Sequence, residues 1–339
     1  MRSFLLIITL LSTCFVQGQQ PSIQNLVFEG AGIRGLAYSG AIRELEKNDL
    51  LKNVQRVGGT SAGAITALLL SLGYTSEEIT SIIHSTSFRK FNDGRFFFLG
   101  GISRMQKFYG WYRSEKFDKW IAALVKKKTG DADISFEQMK KKGFKELYVT
   151  GTCLNKQALV VFSHHTYPEM KVKDAVRISM SIPLYFEAVF INDKGKTVKR
   201  PKNKKGLDIM VDGGMVSNFP IRIFDSTRYV DPSSPNRFLI NPNTLGFRID
   251  RDEQIRNDAE GKGLAPMPVN DLKEYFSAFY NLVIETLNRQ ELGPSDWQRT
   301  ISISDGTIAP RIRKLSKAEI SLLEDNGSKA TNLFLTNRL

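Results

Sequence analysis

Ser61 is the residue of this sequence best placed to do chemistry. It stands in Gly59-Thr60-Ser61-Ala62-Gly63, a G-x-S-x-G pattern, between the short apolar stretch "VQRVGG" and the longer "SAGAITALLLSLG". Glycines on either side permit a tight strand-to-helix turn in which the serine takes strained backbone angles and its hydroxyl projects clear. A helix beginning there aims the positive end of its dipole at charge developing on that oxygen. The pattern alone arises by chance, but in this setting a nucleophile is favoured over a helix-capping serine.

A second constellation lies upstream, in "NLVFEGAGIRGLAYSG". Gly30, Gly32 and Gly35 have the G-x-G-x-x-G spacing of a dinucleotide loop. Such a loop needs an acidic residue at the end of the next strand to hold a ribose. That place is occupied by the Ser61 turn, which contains no Asp or Glu. The loop's amides are therefore better read as donors to a transient oxyanion than as a phosphate cradle.

A serine nucleophile also needs a base. The chain has 3 histidines, His84, His164 and His165. His84 falls in an amphipathic helix, and the other two follow the strand "ALVVFS" in a turn. Asp212, in "MVDGGMVSNFP", is the better candidate, being an acid that ends an apolar strand before two glycines. A lone aspartate there is equally what an ordinary turn would use.

The elements that must position these residues alternate in the manner of an α/β fold. "NLVFE", "VQRVGG", "FKELYVTGTCL", "ALVVFS", "EAVFIN", "DIMVDGG", "NTLGFRID" and "RTISIS" read as strands. Helices are expected at "GLAYSGAIRELEKNDLL", after Ser61, at "VKDAVRISMSIP", at "LKEYFSAFYNLVIETLN" and near the C-terminus. Thr75 with Glu78, Ser135 with Gln138 and Ser316 with Glu319 have capping-box spacing.

"FEGAGIRG", "GTSAG", "AVRISMSIPLYF" and "VDGGMVSNFP", in this order, resemble the four signature blocks of the patatin-like phospholipases. The resemblance implies a three-layer α/β/α fold with a mostly parallel central sheet. It implies Ser61 as nucleophile, Asp212 as its base without histidine, and an acyl-enzyme on the way to a free fatty acid. Oxyanion donors would come from Gly30, Gly32, Ile33 and Arg34. Gly35, Gly59, Gly63, Gly213 and Gly214 match the family's structural glycines, and Pro183 its proline beside the site. Ala31 stands where the family often has a further glycine. No metal or other cofactor is called for. The substrate implied is a phospholipid or lysophospholipid. A general esterase or neutral-lipid lipase, or a non-catalytic lipid-binding or storage protein on the same fold, are the alternatives. An ordinary aspartate, with a pKa near 4, is a weak base for a serine, so the site must acidify the serine or bury the carboxylate.

Composition bounds the rest. The N-terminal "MRSFLLIITLLSTCFVQGQQ" has one cation and then an apolar run shorter than the roughly 20 residues that span a bilayer, so residues 1–18 read as a secretory signal peptide. A lipoprotein signal at Cys14 is the minor alternative. Export would leave Cys153 as the sole cysteine, which excludes a disulfide framework. Residues 19–223 are then the catalytic domain, and 224–339 a helical, α/β C-terminal extension packed on it.

A formal charge of +13 favours anionic partners. The chain carries no nucleic-acid motif, which leaves an anionic membrane surface. The aromatic, cationic segment from Phe88 to Trp120 is one candidate for that contact and for an acyl trough. It contains Phe96, Phe97, Phe98, Leu99, Phe108, Tyr109, Trp111 and Tyr112. The lysine-rich loop Lys194 to Lys205 is another; a solvated hairpin tip is its plainer reading.

Overall fold

The structure, a computed structural model, describes residues 22–94, 97–230, 233, 235–289, 292–310 and 313–337. The expected signal peptide, with Cys14, lies outside the described residues. No helix among the described residues is long and apolar enough to cross a membrane.

In chain order the strands are β1 (Asn25–Phe28), β2 (Arg56–Gly59), β3 (Gly110–Tyr112), β4 (Glu146–Cys153), β5 (Ala158–Phe162), β6 (Leu184–Phe186), β7 (Val189–Ile191), β8 (Asp208–Asp212), β9 (Thr244–Asp250) and β10 (Thr300–Ser304). The longer helices are α1 (Ala37–Lys47), α2 (Ala62–Ser71), α3 (Ser76–Ser85), α4 (Phe97–Phe108), α5 (Glu115–Thr129), α6 (Phe136–Lys141) and α7 (Val172–Ser179). After the short α8 (Thr227–Val230) come α9 (Asp252–Glu260), α10 (Leu272–Arg289), α11 (Pro294–Trp297) and α12 (Lys317–Thr336). All three expected capping boxes form, opening α3, α6 and α12.

The main sheet runs β10-β9-β1-β2-β4-β8-β7, with β5 also paired to β4. Neighbours from β10 to β4 are parallel, whereas β8, β7 and β5 join antiparallel. The central strands are buried on both faces, which is why they read as continuous apolar runs rather than alternating ones. Leu26 and Phe28 of β1 face the larger core under α1, α2, α5 and α7, while Val27 faces a smaller one filled by Phe219, Ile221 and Phe224.

The region after residue 223 is more than a layer added to a finished core. It inserts β9 beside β1 and adds β10 at the sheet edge. Its last helix, α12, lies against α1 with backbones in contact: a Cβ on Gly40 would fall on the Glu324 carbonyl, and one on Gly327 on the Ala37 carbonyl. α2 is apolar almost all round, and Leu68, Leu69 and Leu70 are all buried. Each such leucine contributes about 1.5–3 kcal/mol, so the helix that follows Ser61 is firmly held.

Candidate active site

Register alone brings Ser61 and Asp212 to one level of the sheet. Gly59 pairs with Val149 across β2 and β4, and Gly151 pairs with Asp212 across β4 and β8. Two residues beyond Gly59 and two beyond Val149 give Ser61 and Gly151, the latter already level with Asp212. Thr60 and Thr150 tie the two strands there, their hydroxyls 2.6 Å apart.

Ser61 has φ 53° and ψ −120°, a conformation that L-residues avoid. Its surroundings enforce the turn. The Ser61 amide donates to Ser179 Oγ at 2.8 Å, and the Gly63 amide closes back on the Thr60 carbonyl, also at 2.8 Å. Glycine is required at 63, because a Cβ there would lie 2.2 Å from the Phe28 carbonyl oxygen. A Cβ on Gly59 would in turn strike the Gly63 carbonyl at 2.4 Å. Ser61 is 7% exposed and Asp212 6%, so both side chains sit out of bulk water.

Burial pushes the Asp212 carboxyl from the ordinary aspartate range up to about 7, partly offset by hydrogen bonds from the Gly214 amide and the Ser61 side chain. The Gly214 bond is 2.8 Å long, to Oδ1. The Ser61 hydroxyl also lies 3.7 Å from Met180 Sδ, a weak acceptor. The Asp212 amide donates to the Ser181 carbonyl at 2.9 Å, which docks the segment carrying Pro183 beside the site. Gly213 fits because a Cβ would meet Thr150 Oγ1 at 2.3 Å.

The glycine loop narrows the set of available donors. The Gly30 amide already donates to the Asn218 carbonyl (3.0 Å) and the Arg34 amide to the Ala31 carbonyl (3.2 Å). Of the four expected donors, Gly32 and Ile33 are the two whose amides have no acceptor among the described residues. The Ala62 amide, next to Ser61, is likewise unclaimed there and joins them as a donor that the sequence reading did not include. Arg34 acts through its side chain instead, bonding Asp305 Oδ2 at 3.1 Å and the Ala31 carbonyl at 3.3 Å. Gly35 lets the loop close on the turn, since a Cβ there would lie 2.9 Å from Ala62 Cβ.

Residues that sequence reasoning missed hold this loop from behind. Asn218 Nδ2 donates to the Gly30 carbonyl (2.8 Å), and the Asn218 amide donates to Asn288 Oδ1 on α10. Glu29, just before Gly30, pairs with the fully buried Arg248 at 3.2 Å. Burial nevertheless pushes the Glu29 carboxyl up to about 8. Arg248 also reaches Asp250 and Glu285, both at 3.3 Å. The only sequence signal for Arg248 is a charge set among apolar residues in "NTLGFRID".

A groove of about 910 Å³, counting its open mouth, runs from Ser61, Gly32 and Ile33 past Ile65, Leu69 and Met180. Its far walls are Phe88, Phe91, Phe117 and Trp120, which pack edge-on and tilted against one another. The ends of the aromatic segment thus line the groove, whereas Leu99, Phe108, Tyr109, Trp111 and Tyr112, among the described residues between them, do not. Leu99 is 76% exposed, Tyr109 stacks under Lys204, and the Arg104 Nε donates to the Trp111 carbonyl. Arg95 and Phe96, and the side chains of Phe97 and Phe98, lie outside the described residues.

The histidines lie elsewhere. His84 bonds Glu324 at 3.1 Å. His164 and His165 gather with Glu146 at the opposite end of β4, close enough to hold a metal ion in principle. Lys140 fills that position, its ammonium 2.7 Å from His164 Nε2 and 3.2 Å from Glu146.

A family model described as Patatin-like phospholipase matches residues 26–225, more than half of the chain. The chain belongs to the patatin-like phospholipase family. It is 34% identical over 217 residues to the uncharacterized protein YqhO of Bacillus subtilis, covering 60% of this chain and 67% of that one. It is 26% identical over 201 residues to a protein of Invertebrate iridescent virus 6 named "Probable lipid hydrolase 463L", covering 59% and 62% respectively. The fold matches the crystal structure of VipD from Legionella pneumophila with a TM-score of 0.56 at 16% identity, over 94% of this chain and 67% of that one. The mixed α/β architecture with its mostly parallel sheet is therefore that of patatin-like lipid hydrolases.

Proposed function

We propose that this patatin-like protein is a serine acyl hydrolase that cleaves fatty acyl esters of phospholipids or lysophospholipids through a Ser61–Asp212 dyad. One observation carries the reading: a strained, buried serine and a buried, basic aspartate share one level of the sheet, at the end of an apolar groove. Ser61 Oγ attacks the ester carbonyl while Asp212 accepts its proton. The Gly32, Ile33 and Ala62 amides face the oxyanion that forms. Asp212 then returns the proton to the departing alcohol oxygen, which leaves an acyl-Ser61 ester. Water, deprotonated by the same carboxylate, attacks that ester; the tetrahedral intermediate collapses to fatty acid as Ser61 regains its proton. A raised pKa is what makes an aspartate competent in both directions.

The exposed Lys194, Lys196, Lys199, Lys202 and Lys205 give the protein an anionic-surface contact. Two other cations of that loop serve the fold: Arg200 pairs with Glu187 at 3.2 Å, and Lys204 bonds the Tyr109 hydroxyl at 3.0 Å.

Wild type, Ser61→Ala and Asp212→Asn should be compared on p-nitrophenyl esters, phospholipid vesicles and triacylglycerol emulsion. Turnover of phospholipid by wild type and its loss in both variants supports the reading. Preference for emulsion points to a neutral-lipid lipase, and no turnover of any substrate by wild type points to a lipid-binding protein.

A further inference from the structure

The groove beside Ser61 has a neighbour of opposite character. A second cavity of about 620 Å³, again counting its open mouth, shares Ile33, Leu36, Ile83 and Phe88 with it as a common wall. Among the described residues, no charged side chain lines the first groove. The second is lined by His84, Arg313 and Lys314 together with the hydroxyl residues Ser85, Thr86 and Ser87, and, among the described residues, by no carboxylate. Arg313 is held by Glu319 at 2.6 Å and His84 by Glu324 at 3.1 Å. Lys314 is exposed, and its ammonium has no partner among the described residues. Ile33, one of the four residues of that wall, also belongs to the glycine loop beside Ser61.

An ester bound with its carbonyl at Ser61 and one acyl chain along the apolar groove has the second cavity on the other side of that shared wall. We propose that the second cavity receives the phosphate of the substrate's headgroup, with Lys314 as its principal cation and Arg313 and His84 alongside. This rests on the acyl hydrolase reading above and gives the phosphate of that substrate a binding place on this chain. The apolar wall separates the charged end from the chain, so an amphipathic molecule fits in one orientation.

The test uses monomeric dihexanoylphosphatidylglycerol, below its micelle concentration, against uncharged dihexanoylglycerol. Lys314→Glu should lower the ratio of their kcat/KM values about tenfold, the size expected for a lost charge-assisted contact; Lys314→Arg should keep it. An unchanged ratio in Lys314→Glu overturns the proposal. A second measurement needs no turnover: titration calorimetry of the same phospholipid into Ser61→Ala and into Ser61→Ala with Lys314→Glu. Weaker binding to the double variant upholds the subsite even where wild type hydrolyses neither ester, a result that would refute the hydrolase reading alone. Equal binding to the two proteins overturns the subsite. Inorganic phosphate that binds Ser61→Ala as tightly as the phospholipid, and as dependently on Lys314, assigns the cavity to free phosphate and overturns the headgroup role.

Discussion

Asn218 grips Gly30 from both sides: its carbonyl accepts from the Gly30 amide at 3.0 Å, and its side-chain Nδ2 donates to the Gly30 carbonyl at 2.8 Å. This clamp fixes the start of the glycine loop, and Arg34, tied to Asp305, fixes its end. Between them the Gly32 and Ile33 amides have no acceptor among the described residues. Asn218 comes six residues after Asp212, so a single loop connects the proposed base to the backbone proposed to face the oxyanion.

Asn218→Ala should therefore lower kcat by about 10–100-fold with little change in KM, since the lost interaction supports donors used mainly in the transition state. Steady-state kinetics on a soluble ester measures this, with thermal melting to monitor the fold. An equal fall in turnover and in folded protein would assign Asn218 a structural role instead.

The pH dependence follows from the raised Asp212 carboxyl. Only the ionised form accepts the serine's proton, so kcat/KM should fall about tenfold per pH unit below roughly pH 7 and level off above it. A limb centred near pH 4 would mean that burial does not make Asp212 a stronger base.

The same group affects stability in the opposite sense. An acid whose folded pKa lies above its unfolded value binds more protons when folded, so stability declines as pH rises from about 4 to about 7 and stays flat beyond. Asp212→Asn removes that cost, an upper bound on the order of 4 kcal/mol. The variant should melt higher than wild type at pH 8, with the difference shrinking toward pH 4.

Much of this was legible in the sequence. The strands that carry the site are short, apolar and bounded by glycine or polar turns, so their positions read directly. Ser61 and Asp212 stood out because glycines flank them. The grip of Asn218 and the pairing of Arg248 with Glu29 were not legible, because each depends on strands brought together from distant parts of the chain. β9 beside β1 is the clearest case: its residues look like any late strand, and only the parallel pairing Asn25 to Thr244 reveals that it completes the core. The aromatic segment left its role open because aromatic density does not say which side chains turn inward; Phe88 and Trp120 do, and Leu99 does not.

Chain-length selection should respond to the groove. Ile82 lies on its wall, away from Ser61 on α3. Ile82→Trp should cut turnover of long-chain p-nitrophenyl esters by tenfold or more, about the selectivity that hydrophobic pockets achieve, while butyrate hydrolysis persists. Uniform loss across chain lengths would place the acyl chain elsewhere.

Surface binding should depend on the exposed lysines. Changing Lys194, Lys196, Lys199, Lys202 and Lys205 to glutamine removes roughly 1 kcal/mol per surface-facing charge. Vesicle sedimentation should show weakened binding to anionic vesicles and unchanged binding to zwitterionic ones. Equal weakening on both would exclude an electrostatic role for this loop.

The central claim, that Ser61 is the nucleophile, is tested most directly by labelling the protein with a fluorophosphonate and mapping the modified peptide. The account predicts one adduct, on Ser61, absent from Ser61→Ala and slowed in Asp212→Asn. An adduct on another residue, or undiminished ester hydrolysis by Ser61→Ala, would contradict it.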